Sequence, residues 1–256
     1  MENTIISICL FILGAIFGSF LSCMGYRIPN KIKTTYPSSF CPMCKKSLKW
    51  YMNIPIFSYI FQKGRCVYCH KKIGFIYFFN EVLCAVLFVL SYLIFKFDMN
   101  FYISIVVVCM LITTIISDFL YYYISDRVLV ISYLSILIVL YIFLPISDVL
   151  IRIVISIVSF LFMFGIKILG NSMFERESLG DGDIKLMAVL GLATGLLGML
   201  ISLVFASVIG LIFSIIAIKK YKDGIIPFGP FLIIGALLFI YLSNLILPYM
   251  NELLAL

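Results

Sequence analysis

Long apolar stretches alternate with short polar segments along this chain of 256 residues. A membrane-spanning helix needs about 20 consecutive apolar residues, and eight stretches come close to that length. They cover residues of about 4–26, 75–95, 100–120, 128–145, 149–170, 184–199, 200–218 and 226–247. The boundary between the sixth and seventh falls inside continuous apolar sequence. The pattern predicts an all-α polytopic membrane protein with about eight transmembrane helices.

The composition agrees with this pattern. Hydrophobic residues make up 64% of the chain, charged residues only 12%, and the mean hydropathy is +1.19. A soluble fold of this length could not cover so much apolar surface. The first stretch is too long for the core of a signal peptide and has no basic region before it, so we expect a retained transmembrane helix.

The basic residues predict the orientation of the helices. Ten of the 19 Lys and Arg residues lie between Arg27 and Lys72, and with eight helices only Lys96 and Arg152 fall on the opposite side. By the positive-inside rule, segment 27–73 is cytoplasmic and both termini are outside the cytoplasmic membrane. The net charge of +7 is therefore a signal of topology in a lipid-embedded chain, and nothing in it indicates a nucleic-acid partner.

Two cysteine pairs lie in the basic segment between the first two spans. Cys41 and Cys44 form one CxxC pair, Cys66 and Cys69 form the second, and 21 residues separate the pairs. This spacing is typical of a tetrahedral four-thiolate zinc site. Disulfides are the alternative, but a cytoplasmic segment would keep its thiols reduced. Since four protein ligands leave no open position, the zinc is expected to be structural. His70 is expected to face solvent, with ligation in place of a cysteine as the alternative.

Acidic residues within or beside the spans are candidates for chemistry, because a carboxylate in hydrocarbon is costly and usually functional. Asp118 ends the third span, while Asp181 and Asp183 open the sixth in the motif GDGDIKL. The predicted topology brings Asp118 and Asp183 to one depth. Two carboxylates that share a site hold one proton between them, as in an aspartyl protease. Ion or proton translocation is the alternative use of such acids.

Helical geometry distinguishes the two aspartates of the motif. Residues two apart on a helix point about 200° apart, so Asp181 and Asp183 cannot both face Asp118. Asp183 lies deeper in the helix and is the predicted catalyst, whereas Asp181 complements the helix N-terminus. Glu81 lies inside the second span and requires a partner.

Several motifs together resemble those of the type IV prepilin peptidases, the bifunctional leader peptidase and N-methyltransferase family. They are GSFLSCMGYRIP in the first span, the two cysteine pairs with WYMNIPIFSYI and KGRC between them, NEVL in the second span, Asp118 followed by Asp126, GDGDIKL, and PFGPFLIIGA in the last span. The resemblance covers nearly the whole chain. GxGD alone would be weak, since other intramembrane aspartyl proteases share it.

This resemblance implies both a function and a division of the chain. It implies that Asp118 and Asp183 are catalytic, that substrates are prepilins or pseudopilins with a short basic leader, and that S-adenosylmethionine donates a methyl group to the new N-terminus. Residues 1–26 would form the first helix, 27–73 the cytoplasmic zinc region and 74–256 the peptidase core.

Two positions differ from the usual family pattern. Ser125 stands where the family commonly has proline, and Ser22 stands where it has asparagine. The second change leaves methyl transfer less well supported than proteolysis. A transporter using the same acids should show an internal repeat of broken helices, which the sequence lacks, and an assembly scaffold would leave Asp118 and Asp183 without a purpose.

Overall fold

A computed structural model describes residues 2–34, 36, 38–174, 179–217 and 227–254. The described chain is almost entirely helical, as predicted. Its α-helices are α1 (Glu2–Arg27), α2 (Phe57–Phe61), α3 (Phe75–Phe95), α4 (Met99–Tyr121), α5 (Asp126–Phe143), α6 (Ile146–Phe174), α7 (Asp181–Ala217) and α8 (Gly229–Leu254). A short 3₁₀ turn, Trp50–Asn53, precedes α2.

Six of these helices, namely α1 and α3 to α7, are long and apolar enough to cross a membrane. Within α8, the stretch Gly229–Ser243 is also apolar. This confirms a multi-pass membrane protein with a small cysteine-containing segment between α1 and α3. The predicted spans match the observed helices closely up to α6, whereas the sixth and seventh both fall within α7.

Helix α7 reverses direction at Gly195, where the backbone adopts φ 75° and ψ −176°. A straight helix would separate Asp183 from Phe213 by about 45 Å. Both nevertheless lie beside the end of α4. Phe213 has its ring centroid 5.6 Å from that of Phe119, and Asp183 borders Gly229, whose amide is bonded to Asp118. Helix α7 is therefore two antiparallel arms, residues 181–194 and 196–217.

The turn at Gly195 explains why the predicted boundary, between residues 199 and 200, was placed too late. The apolar sequence continues through the turn, so hydropathy carries no signal there. Only glycine adopts this φ without strain. The guanidinium of Arg152 also fills the space of a side chain, lying 2.7 Å from the position of a Cβ at residue 195. It donates to the Ala193 carbonyl at 3.4 Å, which supplies positive charge at the end of the first arm.

Helix α4 occupies the centre of the bundle. It contacts α1, α3, α5 and α8. Of its most apolar stretch, 72% of the residues are buried, far more than in the other spanning helices. Its last turn carries Asp118, so the candidate site is held by the most deeply buried helix of the bundle.

Candidate active site and metal centre

Asp118 and Asp183 meet around the first residue of α8. Asp118 lies in the last turn of α4 and Asp183 in the first turn of α7, and they are only 6% and 9% exposed. The Gly229 amide donates a hydrogen bond to Asp118 Oδ2 at 3.2 Å. A Cβ at residue 229 would lie 3.0 Å from Asp118 Oδ2 and 3.4 Å from Asp183 Oδ1. The two carboxylates thus flank one backbone position.

The surroundings of this pair are poor in compensating charge. Among the described residues, the ion pairs are Lys167 with Asp181 and Lys185 with Asp126, and neither involves Asp118 or Asp183. Asp183 Oδ1 is buried and accepts no hydrogen bond from the described groups. Two buried carboxylates without a cation cannot both carry a full charge cheaply. The arrangement is therefore suited to sharing and transferring a proton.

Asp181, in contrast, faces away from this pair. Its side chain is 77% exposed and lies 2.5 Å from the Lys167 ammonium of α6. Asp126, at the start of α5, pairs with Lys185 at 2.7 Å. The second pair joins the N-terminal turns of α5 and α7, and so helps to fix the helix that carries Asp183.

The glycines of the GDGD motif make room for this packing. A Cβ at Gly182 would lie 2.8 Å from the Cβ of Ile124 in the loop before α5. A Cβ at Gly180 would lie 3.3 Å from Asp183 Oδ2. The motif therefore lets the α4–α5 loop close over the carboxylates.

Gly229 has a role that the sequence did not reveal. It was visible only as part of PFGPFLIIGA, and no pattern in the chain links it to Asp118, which lies 111 residues earlier. The sequence feature that could have indicated this role is the local Gly-Pro pair. Gly229 followed by Pro230 at the start of an apolar span is typical of a helix start at which another group comes close to the backbone.

The four cysteines of the segment between α1 and α3 form one cluster. Their Sγ atoms all lie within 4.8 Å of one another, and those of Cys41 and Cys69 are 3.9 Å apart. Sulfurs around a tetrahedral zinc ion are separated by about 3.8 Å. The cluster can therefore hold a zinc ion after a small contraction.

The two cysteine pairs have the same backbone geometry. The Cys41 amide bonds to the Lys46 carbonyl, and the Cys66 amide bonds to the Lys71 carbonyl. Lys45 and His70 both adopt positive φ at the equivalent position. His70 is exposed, and the cluster consists of cysteines alone. All eight cysteines of the chain are free thiols.

The thiols differ in acidity. Burial raises the pKa of the Cys66 thiol, but hydrogen bonds from the Cys69 and Tyr68 amides outweigh burial and lower it to about 7. For Cys69, a hydrogen bond from the Lys71 amide lowers the pKa, but burial and the neighbouring sulfurs raise it to about 11. Thiolates so close together repel one another, and a bound cation would remove that repulsion.

Glu81 finds the partner that its position in the span requires. Its Oε2 accepts a hydrogen bond of 2.6 Å from the Ile56 amide in the cysteine segment. Glu81 also lines a cavity of about 440 Å³ between α1, α3 and that segment. Ser22, one of the two positions that differ from the family pattern, lines the same cavity and accepts a hydrogen bond from the Asn80 amide.

A helical membrane fold that brings two buried aspartates together fits the class of intramembrane aspartyl peptidases. Comparison with known proteins identifies the family. The family described as "Bacterial Peptidase A24 N-terminal domain" matches residues 12–95, and "Type IV leader peptidase family" matches residues 105–215. The chain belongs to the type IV leader peptidase family.

Curated relatives match along almost the whole chain. A prepilin leader peptidase/N-methyltransferase of Bacillus subtilis (strain 168) is 30% identical over 246 residues, which are 94% of this chain and 97% of the relative. A type 4 prepilin-like proteins leader peptide-processing enzyme of Escherichia coli O78:H11 is 28% identical over 254 residues, 91% of this chain and 92% of the relative. No solved structure matches. These names support the peptidase interpretation and not the transporter alternative.

Proposed function

We propose that this protein is a membrane-embedded aspartyl endopeptidase that removes the short basic leader of type IV prepilins or pseudopilins and then methylates the new N-terminus. The observation that carries the proposal is the placement of two buried carboxylates on either side of Gly229. Family membership adds the substrate class, because the relatives are named for processing prepilins.

The two aspartates would divide the work according to their hydrogen bonds. A bond from the Gly229 amide favours the ionised form of Asp118, so Asp118 is the general base that takes a proton from water. Asp183 Oδ1 receives no such bond, so Asp183 holds the shared proton. It polarises the scissile carbonyl by donating a hydrogen bond, and then protonates the leaving amine.

The charge pattern supports a cytoplasmic active site in the cell membrane. The ring centroids of Tyr26, at the end of α1, and Tyr121, three residues after Asp118, are 6.3 Å apart. The aspartates therefore lie on the side of the membrane where the basic segment 27–73 begins. By the positive-inside rule this side is cytoplasmic, and the chain starts outside. The division into a first helix 1–26, a zinc region 27–73 and a peptidase core 74–256 belongs to the same proposal.

Two further groups complete the proposed enzyme. A zinc ion bound by Cys41, Cys44, Cys66 and Cys69 would fix the segment between α1 and α3, and S-adenosylmethionine would supply the methyl group. The cavity beside Glu81 fits a molecule of that kind, since it combines a carboxylate, hydroxyls and aromatic rings in about 440 Å³.

The proposed function is tested by incubating the purified protein, in nanodiscs with S-adenosylmethionine, with a candidate prepilin. Mass spectrometry of the product should find a new N-terminus at the leader junction carrying one added methyl group. Cleavage without methylation would restrict the proposal to proteolysis. Intact substrate across a panel of prepilins, together with proton flux in proteoliposomes, would favour the transporter alternative.

The zinc site gives a separate prediction. Protein purified under reducing conditions should contain about one zinc per chain by elemental mass spectrometry. Cys41→Ser or Cys69→Ser should lower this content severalfold and make segment 27–73 more sensitive to limited proteolysis. Cys9→Ser, an exposed cysteine of α1 outside the cluster, should change neither quantity. Fresh, reduced protein without zinc would contradict the prediction.

A further inference from the structure

The cavity beside Glu81 is a built site. It is bounded by α1, α3 and the cysteine segment, and its volume of about 440 Å³ suits a nucleoside-sized ligand. The polar and aromatic groups of its wall include Ser19, Ser22, Tyr59, Gln62, Tyr77 and Glu81. The Arg27 guanidinium also lines the cavity and donates to the Lys33 and Thr34 carbonyls. Such a mixture of two opposite charges, amides, hydroxyls and rings is typical of a binding site.

A strained turn lies beside this cavity and contacts Glu81 in its wall. Ile56 adopts φ 65° and ψ −57°, a conformation that is rare for a β-branched residue. The Phe57 amide bonds to the Pro55 carbonyl at 2.6 Å, which defines a γ-turn centred on Ile56. The Ile56 amide points at Glu81 Oε2, 2.6 Å away. Strain of this kind persists where the surrounding structure holds it in place, often at a ligand site.

We propose that this cavity binds S-adenosylmethionine, with the Glu81 carboxylate facing the positively charged sulfonium. The assignment rests on the proposed function. A carboxylate in a site of low dielectric attracts a cation far more strongly than it would in water. Tyr59 and Tyr77 also line the cavity, and the adenine can pack against the parts of their rings that face it.

The position of the cavity suits consecutive reactions on one substrate. Tyr26 lines it and contacts Tyr121, one turn beyond Asp118. The amine that cleavage releases at the aspartates is therefore formed on the same side of the membrane, close to the cavity. The substrate would not have to leave the enzyme between the two reactions.

The test is a direct measurement of binding. The dissociation constants of S-adenosylmethionine, a cation at sulfur, and S-adenosylhomocysteine, its neutral thioether, are measured by calorimetry on protein in nanodiscs. Glu81→Gln keeps an acceptor for the Ile56 amide but removes the charge. It should weaken binding of the cation about tenfold or more and binding of the thioether much less. Asp98→Asn, an exposed carboxylate at the start of α4, is the matched control and should change neither constant.

A second variant distinguishes loss of the Glu81 charge from general damage to the cavity. Tyr59→Leu should weaken both ligands to a similar extent, because it removes ring surface and no charge. If Glu81→Gln binds each ligand as tightly as the wild type does, the cavity assignment is overturned. Methyl transfer by the protein would remain possible at another site. A wild type that binds neither ligand would overturn the methyltransferase part of the proposed function itself.

A different observation concerns the outer face of the cysteine segment. Trp50, Phe57, Ile60 and Phe61 are 80%, 59%, 56% and 81% exposed. A shallow groove joins Trp50, Ile54 and Pro55 to Ile16 and Phe20, which lie on the exposed side of the spanning helix α1. Trp50 is thus continuous with the exposed face of a membrane-spanning helix.

We propose that segment 50–61 lies in the headgroup layer of the membrane and contacts anionic lipid. Exposed Lys49, Lys63 and Arg65 flank the apolar face, the arrangement expected of an interfacial element. The bond between Ile56 and Glu81, which lies inside α3, holds the segment down to that depth.

Trp50 makes this proposal simple to test, because it is the only tryptophan in the chain. Lipids brominated near the top of the acyl chains should quench its fluorescence about twofold or more, and more strongly than lipids brominated at the chain ends. A control protein carrying Trp50→Phe and Met43→Trp places the probe on the exposed tip of the first cysteine pair, where quenching should be weak. Equal quenching of Trp50 and of the control tryptophan would overturn the proposal.

Discussion

Replacing either buried aspartate by asparagine should reduce prepilin cleavage by about 10²–10⁴-fold, because an amide can neither accept the proton of water nor pass one on. Asp118→Asn and Asp183→Asn should behave alike. The double variant should lose little more than either single one, since residues that act as a unit are not additive. The measurement is the initial rate of leader removal by protein in nanodiscs.

Asp181→Asn is the matched control for this experiment. Asp181 belongs to the same motif, but its exposed carboxylate pairs with Lys167, so most activity should remain. The Asp118 and Asp183 variants should stay inserted and folded, because neutralising a carboxylate within the membrane removes a solvation cost. Substantial cleavage by both Asp118→Asn and Asp183→Asn would end the aspartyl mechanism. An inactive Asp181→Asn beside an active Asp183→Asn would reverse the assignment within the motif.

Gly229→Ala should lower the cleavage rate by about 10²-fold while leaving the helices in place. The new Cβ would lie 3.0 Å from Asp118 Oδ2 and 2.8 Å from Ile124 Cδ1, so the Asp118 carboxylate and the Ile124 side chain must shift. A displacement of about 1 Å is enough for a loss of that size. The effect should fall on kcat, measured by initial rates at saturating prepilin.

Gly165→Ala serves as its control. A Cβ at residue 165, in α6, would meet nothing within 4 Å, so cleavage and thermal stability should stay close to those of the wild type. An active Gly229→Ala enzyme would show that the spacing of the two carboxylates tolerates change, and would weaken the role given to the Gly229 amide.

The sequence was sufficient for features that depend on local pattern. Apolar runs predicted the spans, since a helix in lipid must satisfy its own backbone hydrogen bonds. The spacing of the cysteines predicted that their four sulfurs would meet. The common depth of Asp118 and Asp183 followed from the number of membrane crossings between them. Because residues two apart on a helix point about 200° apart, Asp181 was predicted to face away from Asp118, and the structure places it there.

Features that depend on contacts between distant segments were not predictable. The reversal at Gly195 involves the guanidinium of Arg152, 43 positions earlier. Several nearby glycines could equally well have been predicted as the turn from the sequence. The hydrogen bond between Gly229 and Asp118, and that between Ile56 and Glu81, join segments whose approach is set by the packing of the whole bundle. The periodicity of a single segment carries no information about contacts of this kind with a distant segment.

The short first arm of α7 has a consequence for the surrounding bilayer. Its 14 residues, from Asp181 to Thr194, extend only about 20 Å, whereas the hydrocarbon layer is about 30 Å thick. Most of the arm is buried among neighbouring helices, so only the lipid around this part of the bundle can thin to relieve the hydrophobic mismatch. A thinner layer there would keep the start of the arm, where Asp181 is exposed, at the water boundary. Asp183 lies only two residues further on, in a peptidase that must consume one water molecule for each bond it breaks.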